Sequence, residues 1–234
     1  LGYLPYGAGA FICRDHRAVE LLSEAADYVF HGEAPKDYMG RYRSLGQFIP
    51  EGSKSGASVA GVYVTLQVRP LDHAHFGRLP TQTIRSAEAF HARALRFADE
   101  MRGVVQTLVP FAPDSNLVCL ALNPHGNRDI AVANDFVRRL HDELRIDPSR
   151  PLQDKQFFGS VTSLRPDVLG ETETRRILDA LQLDPHSPGE NDGDKLTILR
   201  HTLMNPYLLD HENGISYIDR YFDYLAARIR TLLA

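Results

Sequence analysis

Glycine, serine and lysine meet in "EGSKSGAS", residues 51–58, at the expected mouth of a helix. Free backbone N–H groups, hydroxyls and an ammonium could hold an anion there, and an ordinary helix start built from small residues for close packing would read the same way. In "LTILRHTLM", residues 196–204, Arg200 interrupts an apolar strand and shares a face with Leu196 and Ile198. It is either an edge arginine reaching solvent or a guanidinium held for a carboxylate, a task that its permanent charge and planar fork suit. In the opening "LGYLPYGAGAF", Pro5 and the flanking glycines fix Tyr3 and Tyr6. Their rings pack in a tight loop, or a phenol serves a site.

These residues need elements to position them. Val19, Leu22, Ala26 and Phe30 recur at helical spacing, and the turn-rich "HGEAPKDYMGRYRSLGQ" follows, carrying Tyr38 and Tyr42. "EGSKSGASVAGVYVTLQV" predicts a closely packed helix ended by Pro70. A long helix is expected from Leu79 to Met101, with Ile84, Ala87, Ala94, Phe97 and Met101 on one face. "VVQTLVP" and "NLVCLAL" read as strands bounded by Pro110, Pro113 and Pro124. Ile130, Ala133, Val137, Leu140 and Leu144 form the stripe of an amphipathic helix opened by Asp129. "FFGSVTSL", with Ser160, predicts a strand; "ETETRRILDALQL" a helix capped by Thr172 or Thr174; "KLTILRHTLM" a strand; and "ISYIDRYFDYLAARIRTLL" a closing helix. Strands separated by helices and loops imply α/β or α+β layers, with a boundary at "RPLDHAHFG".

Bulk properties narrow the classes. A chain of 234 residues can bury a real core, and 43% apolar with 24% charged residues excludes disorder. The net charge of -4 disfavours nucleic acid as a main partner, and no apolar run approaches a membrane span. Cys13 and Cys119 sit in apolar runs and read as small buried hydrophobes, which implies a reducing, cytoplasmic compartment. Gly7-Ala8-Gly9 lacks the third glycine of a dinucleotide fingerprint and precedes a strand-like run at Ala10-Phe11-Ile12-Cys13. His73 and His75 read as a solvated loop, "SPGENDGDK" as an acidic surface turn, and no metal site is expected.

Taken together, "LGYLPYGAGAF", "ADYVF", "EGSKSGAS", the "RPL...FGRL" link and "LTILRHTLMNPY" resemble, in the same order, landmarks of the pyridoxal-phosphate-dependent group II amino acid decarboxylases, and among them of the bacterial tyrosine decarboxylase branch. The resemblance covers essentially the whole chain and is weakest at residues 31–47 and 145–195. It implies a fold-type I, aspartate-aminotransferase-like α/β enzyme. Residues 1–75 would end the large cofactor-binding domain and include a dimer-interface segment, and residues 76–234 would form the small C-terminal α+β domain. Leu1 would then directly follow the cofactor lysine, so that the lysine, its preceding His and an Asp for the pyridine nitrogen lie upstream. Either a break at a modified lysine or a separate polypeptide would place the start there.

The implied activity is decarboxylation of an L-amino acid, with an aromatic, tyrosine-like one as the candidate, by a homodimer carrying pyridoxal 5'-phosphate and requiring its upstream half. Arg200 matches the arginine that binds the substrate carboxylate, and Ser160 corresponds to a substrate-side serine. Tyr6 matches the tyrosine of the motif after the lysine and would return a proton to the substrate, with Tyr38 and Tyr42 as alternates on a loop. Gly52, Ser53 and Lys54 would reach the cofactor phosphate of the partner subunit. A carbon–carbon lyase of the sphingosine-phosphate lyase type shares the fold, although its motif usually carries Lys in place of Tyr6. A non-catalytic remnant is the third reading, if the upstream half is absent.

Overall fold

The chain divides into two compact units, Leu1–Gly77 and Arg78–Ala234. The computed structural model describes residues 8–10, 12, 14, 15, 17, 18, 55–149, 151–185 and 195–234. The helix expected through Val19 and Phe30 and the turn-rich stretch with Tyr38 and Tyr42 lie outside the described residues, as do Tyr6, Gly52, Ser53 and Lys54.

In the first unit, helix α1 (Ala57–Val68) stops where Arg69 leaves helical geometry, one residue before Pro70. Proline crowds the preceding residue out of the helical region, so the stop falls where the sequence puts it. α1 carries no charged residue and buries none of its own. Of its small residues, Ala57 and Ala60 are exposed and Ser58 and Gly61 half-buried. At the two described positions of the strand-like opening run, Ala10 and Ile12, the backbone is not in a strand, and Ile12 is exposed.

The second unit is a mixed α and β layer structure, and its sheet is antiparallel throughout. In order it contains α2 (Arg78–Glu100), β1 (Val105–Leu108), β2 (Leu117–Pro124), α3 (Ile130–Leu144), β3 (Ser160–Leu164), α4 (Pro166–Leu169), α5 (Glu171–Ala180), β4 (Leu196–Thr202), the short pair β5 (Leu209–Asp210) and β6 (Ile215–Ser216), and α6 (Tyr217–Leu233). The strands β1 to β4 lie in the order β1-β2-β4-β3. Successive side chains of a strand point to opposite faces, and the two central strands are apolar on both. Leu120, Leu122 and Leu199 join a core with Phe97, Phe136 and Phe222 of α2, α3 and α6. Ala121, Leu196 and Ile198 join a smaller one with Ile177 and Leu178 of α5.

Three details depart from the expected elements. Ile84 is exposed, because the inward stripe of α2 runs through Thr83, Ala87, Phe90, Ala94 and Phe97, and Ile84 is turned away from it by one residue's rotation. Neither Thr172 nor Thr174 caps α5. Gly170 does so at a positive φ of 82°, as the joint between α4 and α5, and the Thr174 hydroxyl donates back to the Gly170 carbonyl. The closing helix begins only at Tyr217: Ile215 and Ser216 pair with β5, and the Ser216 hydroxyl caps α6 by accepting from the Asp219 N–H at 3.1 Å. Asp129 caps α3 as expected, accepting from the Ala131 N–H at 2.7 Å.

The sheet is tied to α3 by the fully buried Asn134. Its amide donates to the Lys195 carbonyl at 2.8 Å and its oxygen accepts from the Thr197 N–H at 2.7 Å, which fixes the start of β4. Removing both bonds from a buried site should be costly. Asn134→Ala should lower unfolding free energy by about 2–3 kcal/mol in a denaturant titration.

Candidate functional site

Four consecutive residues of β4, Leu196 to Leu199, are buried, and the cover then ends at Arg200, which is exposed. Burying an unpaired guanidinium costs several kcal/mol, so an arginine in a central strand must stand where the covering layers stop. Arg200 does share its face with Leu196 and Ile198 by strand alternation, and it forms no ion pair with a carboxylate among the described residues. Register places Ser160 of β3 directly opposite on one side and Cys119 of β2 on the other. The Ser160 hydroxyl donates to the Arg200 carbonyl at 3.1 Å and accepts from the Arg200 Nε–H at 3.3 Å. Two residues separated by 40 positions thus form one unit. Cys119 is partly buried, and burial raises its thiol pKa against the opposing pull of the Arg200 charge.

Arg200 and Ser160 line a cavity of about 510 Å³ at this end of the sheet. Its walls are aromatic, with Phe90 from α2, Phe157 and Phe158 before β3, and Tyr217 and Tyr221 from α6. Behind them stands His201. Its Nδ1 lies 3.1 Å from the Val118 carbonyl, which can only accept, so Nδ1 carries the proton, and Nε2 accepts from the Tyr221 hydroxyl at 2.6 Å. Burial lowers the His201 pKa from 6.5 to about 4 despite the opposing Val118 bond, and burial pushes the Tyr221 phenol up. The pair is neutral, and both rings lie tilted against Phe90, with centroids 4.7 and 5.7 Å away. A second cavity of about 530 Å³ lies between α5 and the start of β4, lined by Leu169, Ile177, Leu178 and Leu196. It holds none of the candidate residues.

The structure brings together Arg200 and Ser160, and it adds an aromatic wall that the spacing of residues did not reveal. The wall comes from elements far apart in sequence; its one local signal is Tyr217 and Tyr221, one helical turn apart at the start of α6. Tyr6, Tyr38, Tyr42, Gly52, Ser53 and Lys54 lie outside the described residues, so the contacts expected for the cofactor phosphate are not among those seen. The donor set that is seen suits a carboxylate. It offers one guanidinium without an acid partner among the described residues, beside an aromatic cavity. His75 pairs with Asp72, its Nδ1 at 2.8 Å from the carboxylate, and among the described residues no group of His, Cys, Asp or Glu is arranged to hold a metal ion. No helix among them is long and apolar enough to cross a membrane.

An antiparallel sheet with helices on it and an exposed arginine at the end of a central strand make a mixed α and β domain. Residues 88–230 match the family described as tyrosine decarboxylase, C-terminal, and the chain belongs to that family. An L-tyrosine decarboxylase of Levilactobacillus brevis is 28% identical over 98% of this chain and 34% of its own length. One of Enterococcus faecalis is 28% identical over 100% of this chain and 35% of its own, and one of Enterococcus faecium 25% identical over 98% and 35%. The chain spans about a third of the length of these relatives.

The half-buried His201 makes stability depend on pH. Its folded pKa lies below its unfolded value, so the unfolded chain binds the extra proton between them, and stability is complete above pH 6.5 and falls as pH drops toward about 4. Because the ring keeps partial contact with the cavity, the loss across this window should be about 1–3 kcal/mol. Melting curves between pH 7 and 4 should show it, and His201→Gln, which cannot titrate, should flatten the slope.

Proposed function

We propose that this chain is the C-terminal part of a fold-type I, pyridoxal-phosphate-dependent decarboxylase acting on an aromatic L-amino acid such as L-tyrosine. The observation that carries this reading is Arg200, an arginine without an acid partner among the described residues, at the mouth of an aromatic cavity in a chain of the tyrosine decarboxylase C-terminal family. The family match and the names of the relatives support decarboxylation over the carbon–carbon lyase and over a non-catalytic remnant. When bound, the cofactor supplies an electron sink for the pair left behind as the carboxylate departs as carbon dioxide.

The chain's own residues bind, orient and return a proton. Arg200 holds the α-carboxylate by charge-assisted hydrogen bonds and so aligns the bond to be broken. Tyr6, with Tyr38 and Tyr42 as alternates, holds the proton destined for the α-carbon. Gly52, Ser53 and Lys54 contact the cofactor phosphate of a partner subunit, with backbone N–H groups and one ammonium. The uncharged, unburied α1 supports an interface helix in a homodimer, since a helix without a polar face is normally covered. Residues 1–75 would then complete the large domain and 76–234 form the small one, in a cytoplasmic enzyme.

Two measurements on the full-length protein test this reading. Arg200→Met keeps much of the side-chain length and removes the carboxylate partner, so kcat/KM for amine release from L-tyrosine should fall by at least about 2 kcal/mol in transition-state binding. Near-normal turnover would remove Arg200 from the site. Ser53→Asp should repel the cofactor phosphate and leave less cofactor bound after dialysis; unchanged content would count against the cross-subunit contact.

A further inference from the structure

The Ser160 hydroxyl has a single proton, and that proton is committed. It is donated to the main-chain carbonyl of Arg200, while the same oxygen accepts from Arg200 Nε. What remains on the oxygen is one acceptor lone pair, with no donor left for a substrate carboxylate. The two bonds close a loop around one residue, because the carbonyl and Nε both belong to Arg200. They join β3 to β4 at the pair that register already sets opposite each other, at the first residue past the buried run.

This clamp selects one edge of the guanidinium. A carboxylate can approach an arginine side-on, across Nε and one Nη, or end-on, across both Nη atoms. With Nε–H turned to Ser160, the side-on edge is occupied and the end-on edge is left for the ligand. Arg200 also loses rotamer freedom before substrate arrives, which removes part of the ordering cost of binding. We infer that Ser160 is a positioning residue: it acts on substrate through Arg200, fixing the guanidinium for end-on capture of the α-carboxylate, and does not itself read the substrate's side chain. This rests on the assignment of Arg200 proposed above and departs from the expectation that Ser160 contacts substrate.

The distinction is measurable in the full-length, cofactor-loaded enzyme. The α-carboxylate is common to all amino acids, so loss of the clamp should weaken every one of them equally. Ser160→Ala should raise KM for L-tyrosine and the inhibition constant of L-phenylalanine by the same factor, about threefold to tenfold, with a smaller change in kcat. Ser160→Val and Ser160→Thr keep a strand-compatible shape and differ only in the hydroxyl; Thr should restore wild-type behaviour and Val should not. Added to Arg200→Met, Ser160→Ala should lower kcat/KM no further, because its path to substrate is gone. A loss confined to L-tyrosine, or a full additional loss in the Arg200→Met background, would overturn the inference in favour of direct side-chain contact. If Arg200→Met impairs turnover while the Ser160 variants bind normally, the clamp fails and the Arg200 assignment stands. If Arg200→Met is itself without effect, both fail together.

Discussion

A strand hydrogen-bonded on both edges and covered on both faces has no room for a charge except at its end. β4 is such a strand, lying between β2 and β3 with Leu196, Ile198 and Leu199 sealed into two cores. Arg200 is the first residue past the seal. Moved two positions earlier, its guanidinium would stand at Ile198, which is fully buried, and would carry a desolvation penalty of several kcal/mol with no acid to offset it. The layers of the domain therefore fix where on this strand a charge can stand exposed. The same ladder then delivers Ser160 and Cys119 to either side of it.

Period and punctuation made most of the elements legible. Apolar residues three and four apart in α3, the Asp129 cap, and the prolines around β1 and β2 are local signals, and the structure follows them. Local signals failed where a neighbour decides. Ile84 fits a helical stripe by spacing, but α2 presents Thr83 and Ala87 inward, and it is the elements packed on it that choose the face. Gly170 starts α5 through a positive φ between two helices, which outranks the threonines downstream. β5 and β6 hold too few residues each to show alternation.

The candidate site was legible as single residues and not as a constellation. Arg200 stands out in an apolar run, whereas nothing in the sequence says that Ser160 hydrogen-bonds it; that depends on strand register, a property of the whole sheet. The aromatic wall is further still from local signal. It draws on α2, the approach to β3, and α6.

His201 shows how the opposite face of the same strand supports the end that carries Arg200. One residue along, its ring turns inward, donates to Val118 on β2 and accepts from Tyr221 on α6, so the tip of β4 is fastened to a strand and a helix at once. A neutral imidazole can make both bonds because it is donor and acceptor together, and burial keeps it neutral. Protonated, it would lose the acceptor and leave a charge among Phe90, Phe157 and Tyr221. Arg200 is thus held from two directions, by Ser160 through its side chain and main chain, and by His201 through the backbone next to it. A side chain on a strand end fastened in this way has a geometry set by the core and not by a loop.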